Sequence, residues 1–582
     1  MNPLYKNLNE KQVEAVDYQN GPLLIVAGAG SGKTKTLTSR LAAILKLGVS
    51  PENIIAITFT NKAAEEMQNR IMDKKPPFIG TFHSLGARIL KKEANFVDRS
   101  RNFSIFDSDD SLRLIKNIIK NFNLTGEERR DINHFKLRKE FSRIKGGLAE
   151  IEDEDEIIGR FFGEYENALE KNNAFDFDDL IEKPVKIFRQ HPAILEKYQN
   201  QFQHILVDEF QDTNVSQYAF IKLLSQKHKN LSVVGDDQQS IYRFRGSDFR
   251  IFLDFEKDWP KTKVVLLEQN YRSSGNIIRA ASALISGNKF QKPKNLWTEN
   301  PDGELLKVIE HRDEDAEAEW IAEKISGSKK SNQSIAVLYR TNAQSRALET
   351  VLIERGIPYR IFGGVRFYER KEIKDIVAAL RWGINPKDAV SLERLKTNLL
   401  KKPFLEIKNG IPEKIKKLSP AELIAYVLEA TDYLNQLKKN YANYQERTEN
   451  INELIYFAGN FGNLQEFLEA ISLLQGTDIA KNNETTANVH LMTIHLAKGL
   501  EFDKVFIAGC NEGLLPHQMS YSGEAEIEEE RRLMYVAMTR AKKELYLNFY
   551  NLASRFLYEI PPELVELSAE KSLDDEERYI EM

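Results

Sequence analysis

Four apolar residues, Leu23-Leu24-Ile25-Val26, run straight into Ala27-Gly28-Ala29-Gly30-Ser31-Gly32-Lys33-Thr34. Leu37, Leu41, Ile44 and Leu45 then recur at helical spacing. A buried strand, a glycine loop and a helix in that order are what a phosphate-binding P-loop requires. Bare backbone N–H groups and the positive end of the helix attract phosphate oxygens. Lys33 is then placed to reach the β/γ-phosphates, and the Thr34 hydroxyl to hold Mg²⁺. Ala27 stands at the first position of the pattern, where glycine is the commoner residue. A glycine-rich turn that binds nothing is the bland alternative, and the closing Gly-Lys-Thr argues against it.

The rest of the chain extends this beginning. A length of 582 residues exceeds what one hydrophobic core supports, so several domains are expected. The apolar and charged fractions, 42% and 29%, are those of an ordinary water-soluble protein. A net charge of −5 supplies no global field for nucleic acid, so any such groove has to be local. Cys510 is the single cysteine, which rules out a disulfide framework, a cysteine-based zinc site and an iron–sulfur cluster. The polar start Met1-Asn2-Pro3-Leu4-Tyr5-Lys6 has no apolar signal segment, and no apolar run is long enough to span a bilayer. A cytoplasmic enzyme is the expectation.

Further strand ends carry chemistry. Ile54-Ile55-Ala56-Ile57-Thr58 leads into Phe59, Thr60 and Asn61, and Ile79-Gly80-Thr81 into Phe82 and His83. Such strand–loop–helix repeats imply a parallel, doubly wound sheet with its ligands at the strands' C-terminal ends. His204-Ile205-Leu206-Val207 ends in Asp208 and Glu209. Asp208 suits a Mg²⁺ ligand, and Glu209 is placed to orient an attacking water. Leu231-Ser232-Val233-Val234-Gly235 continues to Gln238 and Gln239, which suit a sensor of the terminal phosphate, and then to Tyr242-Arg243-Phe244-Arg245. Interleaved rings and guanidiniums suit stacked bases and backbone phosphates, and a buried aromatic pair is the alternative. Gln12, upstream, reads either as a reader of an adenine edge or as a surface helix residue, and taken alone the second is preferred. Strands over 334–339, 489–494 and 504–508 repeat the alternation, so two α/β domains of similar design are expected. Residues 92–173 and 383–487 read as helical insertions. The acidic run over 150–156 and the lysines Lys401, Lys402, Lys408, Lys414, Lys416 and Lys417 read as solvated surface.

Further segments complete an ordered series. They are Leu267-Glu268-Gln269-Asn270-Tyr271-Arg272-Ser273, Ala336-Val337-Leu338-Tyr339-Arg340-Thr341-Asn342 and Gly363-Gly364-Val365-Arg366-Phe367. Met492-Thr493-Ile494-His495-Leu496-Ala497-Lys498-Gly499-Leu500-Glu501-Phe502 follows, and then Glu529-Glu530-Arg531-Arg532-Leu533-Met534-Tyr535-Val536-Ala537-Met538-Thr539-Arg540-Ala541. Over nearly the whole chain this series resembles the UvrD/Rep/PcrA group of superfamily 1 DNA helicases. The resemblance implies an α/β fold of two RecA-like parallel-sheet motor domains, each with an inserted α-helical subdomain. The first motor domain would occupy 1–91 and 174–275, around a helical insert at 92–173. The second would occupy 276–382 and 488–560, around a shortened insert at 383–487, with a tail over 561–582.

The resemblance also distributes roles. Lys33, Asp208, Glu209, Gln239, Arg272 and Arg540 become catalytic, with Gln239 sensing the γ-phosphate and the two arginines meeting its developing charge. ATP would be held by Gln12, Ala27, Gly28, Ala29, Gly30, Ser31, Gly32, Lys33, Thr34, Tyr271 and Glu501. Gln12 here becomes the adenine reader, and Tyr271 the adenine stacker. Mg²⁺ falls to Thr34 and Asp208. Single-stranded DNA would cross Phe59, Asn61, His83, Tyr242, Phe244, Arg245, Thr493, His495 and Lys498. The implied activity is ATP-dependent translocation and 3′→5′ unwinding at single/double-strand junctions, in repair or replication restart, by a monomer or weak dimer.

Departures from the group are specific. Phe244 replaces a usual Trp, Gln238 a usual Asp and Lys35 a frequent Arg. The second insert lacks the glycine-containing segment that touches duplex, and has Asn398-Leu399-Leu400-Lys401-Lys402-Pro403-Phe404 instead. The chain ends soon after the last motif, so the C-terminal extension of many relatives is expected to be missing. Two other readings compete. One is the helicase part of a helicase–nuclease, for which about 40 residues after Arg540 leave no room. The other is a DNA-stimulated ATPase switch, or a translocase with little strand-separating activity.

Overall fold

The computed structural model describes residues 7–71, 76–122, 134–147, 156–327, 333–341, 344, 347–348, 351–352, 355–362, 370–399, 401–440, 444–459, 461–475 and 488–569. Most of the acidic run, the segment 363–367, Asn342 and the end of the tail lie outside the described residues.

Two parallel sheets dominate. The first has six strands in the order Phe78–Thr81, Ile54–Thr58, His204–Val207, Leu231–Gly235, Leu23–Ala27 and Lys263–Leu267. Every neighbouring pair is parallel, with Ile25 opposite Val234 and Ile57 opposite Val207. The central strands are apolar on both faces because both faces are covered. Leu24, Val26, Ile55, Ile57 and Val207 enter one core; Leu23, Ile25, Ala27, Ala56 and Leu206 enter the other, against Leu37, Leu41 and Ile44 of the helix Lys33–Lys46.

The second sheet has seven strands, in the order Arg360–Ile361, Val489–Thr493, Ile335–Tyr339, Phe502–Ile507, Ala541–Tyr550, Leu306–His311 and Val565–Ala569. It too is parallel throughout. Its core takes in Ala29 and Ile241 from the first half of the chain. The P-loop and the loop after Gly235 are therefore packed into the second sheet's own apolar cluster.

Helical parts interrupt both sheets. The first holds Ser108–Asn121, His134–Lys145 and Glu156–Lys171 on a two-stranded parallel ribbon, Ser104–Phe106 with Ala174–Asp176. Its core is aromatic, with Phe106, Phe141, Phe161 and Tyr165. The second contains Lys371–Ile384, Ala389–Asn398, Lys401–Lys414, Pro420–Thr431, Tyr433–Asn440, Tyr444–Ala458 and Leu464–Gln475. The boundary expected between 382 and 383 falls inside Lys371–Ile384. That helix buries Ile373, Ile376, Val377 and Leu380 in the helical core, so the bundle begins near Lys371. A motif-based boundary misses this because nothing in the motifs says which core an amphipathic helix joins. Lys408, Lys416 and Lys417 are exposed, as a solvated face requires.

The two helical parts are joined. Arg381 pairs with Asp110, Lys374 with Asp109, and the Asn385 amide donates to Ser104 Oγ (2.8 Å) and the Asn172 carbonyl (2.7 Å). Val390 of the second sits in the apolar core of the first.

Candidate nucleotide and nucleic-acid site

Local sequence prepares the phosphate end. Gly30 and Gly32 take φ of +65° and +81°, a region open to glycine at little cost. A Cβ on Gly30 would lie 2.5 Å from Asn270 Nδ2, and one on Gly32 2.8 Å from Gln12 Nε2. The helix Lys33–Lys46 begins at Gly32 with no side-chain cap and no acid in its first turn. By contrast, Asn9, Thr60, Thr81 and Asn214 cap their helices with side-chain oxygens. The first N–H groups of the P-loop helix are thus left for an anion.

Four groups converge on this end. Thr34 Oγ1 donates to Asp208 Oδ2 at 2.7 Å. Lys33 Nζ lies 3.8 Å from Glu209 Oε2. Glu209 sits at φ +49°, so the chain turns sharply after the strand and aims the carboxylate back at the loop. Burial and the adjacent Glu209 push Asp208 up to about 7, whereas Lys33 and Lys498 outweigh burial and hold Glu209 below the usual range. The pair is split into a readily protonated acid and a firmly ionised one.

The second sheet reaches the same end. Arg540 Nη2 stands 3.5 Å from Gln239 Oε1, while Nε and Nη1 donate to the carbonyls of Val536 (2.9 Å) and Leu500 (3.1 Å). Burial and then the neighbouring Arg272 bring the Arg540 guanidinium down to about 9. Two guanidiniums brought close together are a setting in which a further anion is favoured. Arg272 lies against the P-loop, with Nε 2.8 Å from Glu501 Oε2 and Nη1 donating to the Thr539 carbonyl at 3.1 Å. Glu501 also pairs with Lys542 at 2.8 Å.

Gln12 is placed differently from the expectation. Its amide Nε2 donates to the Ser31 carbonyl (2.9 Å), and Oε1 accepts from Asn9 N (3.0 Å). In this arrangement the amide braces the P-loop. Tyr271 is half exposed, and Asn9 Nδ2 donates to its hydroxyl (2.8 Å).

The expected DNA residues form two groups. Tyr242 donates to the His495 carbonyl (3.1 Å), and the Phe244 and His495 rings meet edge-on at 5.4 Å. Phe244 is 64% exposed, an uncommon state for so large an apolar ring and one that suits a stacking platform. Thr493 ends the strand just before His495. Phe59, Asn61 and His83 lie at the C-terminal ends of the two strands on the far edge of the first sheet. Phe59 packs edge-on against Phe82, and His83 against Phe177. Lys498 is not brought to the surface. It is buried, bonded to Asp212 (2.5 Å) and the Gln239 carbonyl (2.6 Å), with its ammonium over the Tyr242 ring. It thereby spans the nucleotide and aromatic groups. The Arg245 side chain lies outside the described residues.

Sequence reasoning passed over two amides. Gln211 donates to Glu209 Oε2 (2.6 Å) and accepts from Asp236 N (2.9 Å). Asn270 donates to the Ala29 carbonyl (2.7 Å) and accepts from the N–H groups of Arg272 and Ser273 (both 2.8 Å). Asn270 sits inside a motif already noted and Gln211 just beyond Asp208 and Glu209, and an amide beside an acid or an arginine is the available signal.

Comparison with known proteins agrees with this geometry. The UvrD/REP helicase N-terminal domain matches residues 8–260. The UvrD-like helicase C-terminal domain matches 265–454 and 425–551. The chain is 41% identical to "ATP-dependent DNA helicase PcrA" of Bacillus subtilis strain 168, over 98% of this chain and 88% of that protein. It is 39% identical to PcrA of Staphylococcus epidermidis RP62A, over 97% and 88% respectively. Two matched domains in order, meeting where Arg540 faces the P-loop sheet, place this chain in the UvrD/Rep/PcrA family of superfamily 1 helicases.

Proposed function

We propose that this helicase is an ATP-driven, 3′→5′ single-stranded DNA translocase that opens single/double-strand junctions during DNA repair or replication restart. One observation carries the reading. Arg540 from the second sheet stands 3.5 Å from Gln239 of the first, on the same junction that holds Tyr242 against His495. Nucleotide and polymer would thus be gripped across one joint, and closing it for hydrolysis would draw one lobe along the strand.

The phosphates lie in the loop of Gly28, Ala29, Gly30, Ser31, Gly32, Lys33 and Thr34, on the N–H groups that the uncapped helix end leaves open, with Lys33 as counter-charge. Glu209, kept ionised by Lys33, accepts hydrogen bonds from the attacking water and orients it. Gln239 contacts the γ-phosphate, and Arg272 and Arg540 meet the charge that develops there. Tyr271 stacks on the base, and Glu501 contacts the nucleotide. Thr34 Oγ1 and Asp208 Oδ2, 2.7 Å apart, are the hard oxygens Mg²⁺ prefers and would hold it; the ion supplies charge neutralisation to the phosphates. Bases stack on Phe244 and Tyr242, with Phe59, Asn61, His83, Arg245, Thr493 and His495 along the track and Lys498 held against the Tyr242 ring. Aromatic stacking tolerates any sequence, which a motor requires.

The first motor domain comprises 1–91 and 174–275, around the insert at 92–173. The second comprises 276–370 and 488–560, around an insert that starts near Lys371. The working form is a monomer or weak dimer, and the cytoplasm is the working compartment. The test is strand displacement from 3′-tailed, 5′-tailed and blunt duplexes with ATP and Mg²⁺; displacement restricted to the 3′-tailed substrate is expected. The linkage of the two helical parts through Arg381, Lys374 and Asn385 favours one second reading, a DNA-stimulated ATPase that translocates with little unwinding. DNA-stimulated hydrolysis without displacement from any of the three substrates would establish it.

A further inference from the structure

A strap over residues 292–297, covalently continuous with the second sheet's helix Gly275–Ile285, lies across the phosphate end of the first sheet. The backbone N–H of Lys292 donates to Asp237 Oδ2 (2.9 Å), and that of Asn295 to Glu268 Oε1 (2.7 Å). Leu296 sits so close to the P-loop that a Cβ on Gly28 would fall 2.0 Å from its Cδ2. Between these contacts Lys294 is fully buried, its ammonium 2.8 Å from Asp236 Oδ1 and 2.8 Å from Asp237 Oδ1. Both aspartate side chains are fully buried as well.

Asp236 is the hub of the sensor loop. Its Oδ2 accepts from Gln239 Nε2 at 2.7 Å, its Oδ1 from Gln238 N at 3.2 Å, and its own N–H donates to Gln211, which holds Glu209. Two buried carboxylates side by side are costly without a cation between them, and Lys294 lies 2.8 Å from each. The carboxylate also needs a fixed orientation if its second oxygen is to aim an amide.

We propose that Lys294 is a positioning residue for hydrolysis: it clamps the Asp236 carboxylate so that Gln239 is held towards the γ-phosphate, and so ties that sensor to the second motor domain. The proposal rests on the reading of Gln239 as the γ-phosphate contact. Lys294 touches no nucleotide atom itself; it acts through Asp236.

Steady-state hydrolysis with oligo-dT, on the full chain, tests it with Lys294→Met, Lys294→Arg, Gln239→Ala and the Lys294→Met/Gln239→Ala double variant. Lys294→Met is expected to lower kcat about 10–100-fold with little change in KM for ATP or in oligo-dT affinity. Lys294→Arg, which keeps the charge, is expected to recover part of that loss. The double variant should be no slower than Gln239→Ala alone, since both changes disable one contact. A folded Lys294→Met with normal kcat beside a slow Gln239→Ala overturns the role of Lys294, as do losses that multiply in the double variant. Normal kcat in Gln239→Ala overturns the sensor reading itself and the proposal with it. If Lys294→Met does not fold, the neutral Lys294→Gln decides: lowered kcat at unchanged KM supports the clamp, and unchanged kcat rejects it.

Discussion

The two sheets are built alike, yet their strand ends are used in opposite ways. In the first, Leu23–Ala27 leads into glycines with positive φ and a helix whose N-terminus has no side-chain cap. In the second, Phe502–Ile507 also leads into a glycine with positive φ, Gly509 at +65°. Here the N–H is already taken, by Glu317 Oε1 at 2.8 Å, and Gln344 Nε2 donates to the Ala508 carbonyl at 3.3 Å. Burial pushes Glu317 up to about 8, so near neutral pH it is a neutral acid sealed inside the protein. One sheet leaves the helix after its glycine loop without a side-chain cap, and the other satisfies its glycine turn with its own side chains. The second sheet then contributes by reaching across, through Arg540 and Lys498.

The largest test removes the first sheet's counter-charge. Lys33→Ala is expected to abolish ATP hydrolysis while oligo-dT still binds, read by phosphate release and fluorescence anisotropy; normal turnover would break the assignment of the open end. Next, Arg540→Ala should cost about 10³-fold or more in kcat with ATP still bound, if the second sheet works by reaching across. A loss of ATP affinity alone would make Arg540 a ground-state contact instead.

Glu317→Gln examines the sealed end. A carboxyl raised in the folded state contributes stability that is full below its unfolded value of 4.5 and is lost as pH rises through about 8. The glutamine variant keeps an acceptor for Gly509 and does not titrate. Its stability relative to the parent should therefore rise across this window, by roughly 4 kcal/mol between pH 5 and pH 8.5, each pKa unit being about 1.4 kcal/mol. Thermal melts at pH 5 and pH 8.5 measure it, and parallel curves would show that Glu317 is ionised in the fold.

The smallest effect concerns the exposed ring at the joint. Phe244→Ala should weaken single-strand affinity by about 1–3 kcal/mol, with basal hydrolysis little changed. Unchanged affinity and stepping would move the stacking platform to another residue.

Much of this arrangement was legible in the residues. The P-loop, the acidic strand end at Asp208 and Glu209, and the parallel alternation are all local patterns. Buried parallel strands must be continuously apolar, and a tight phosphate loop must be rich in glycine. Less legible was what each polar group touches. Lys498 looks like a surface cation in sequence and is a buried bridge in the fold. Gln12, taken alone, looks like a surface helix residue, and in the fold it is buried and braces Ser31. Lys371–Ile384 shows an apolar face, and only packing says which core receives it.

Local patterns in the chain were enough for two parallel-sheet lobes, one with a phosphate loop, because backbone geometry and burial act over a few residues at a time. Which donors stay open, which are filled by Glu317, and how Lys294 comes to lie on Asp236 were settled by folding. Those outcomes depend on pairs that are distant in the chain, and a hydrogen bond or an ion pair forms only where folding brings both partners within about 3 Å.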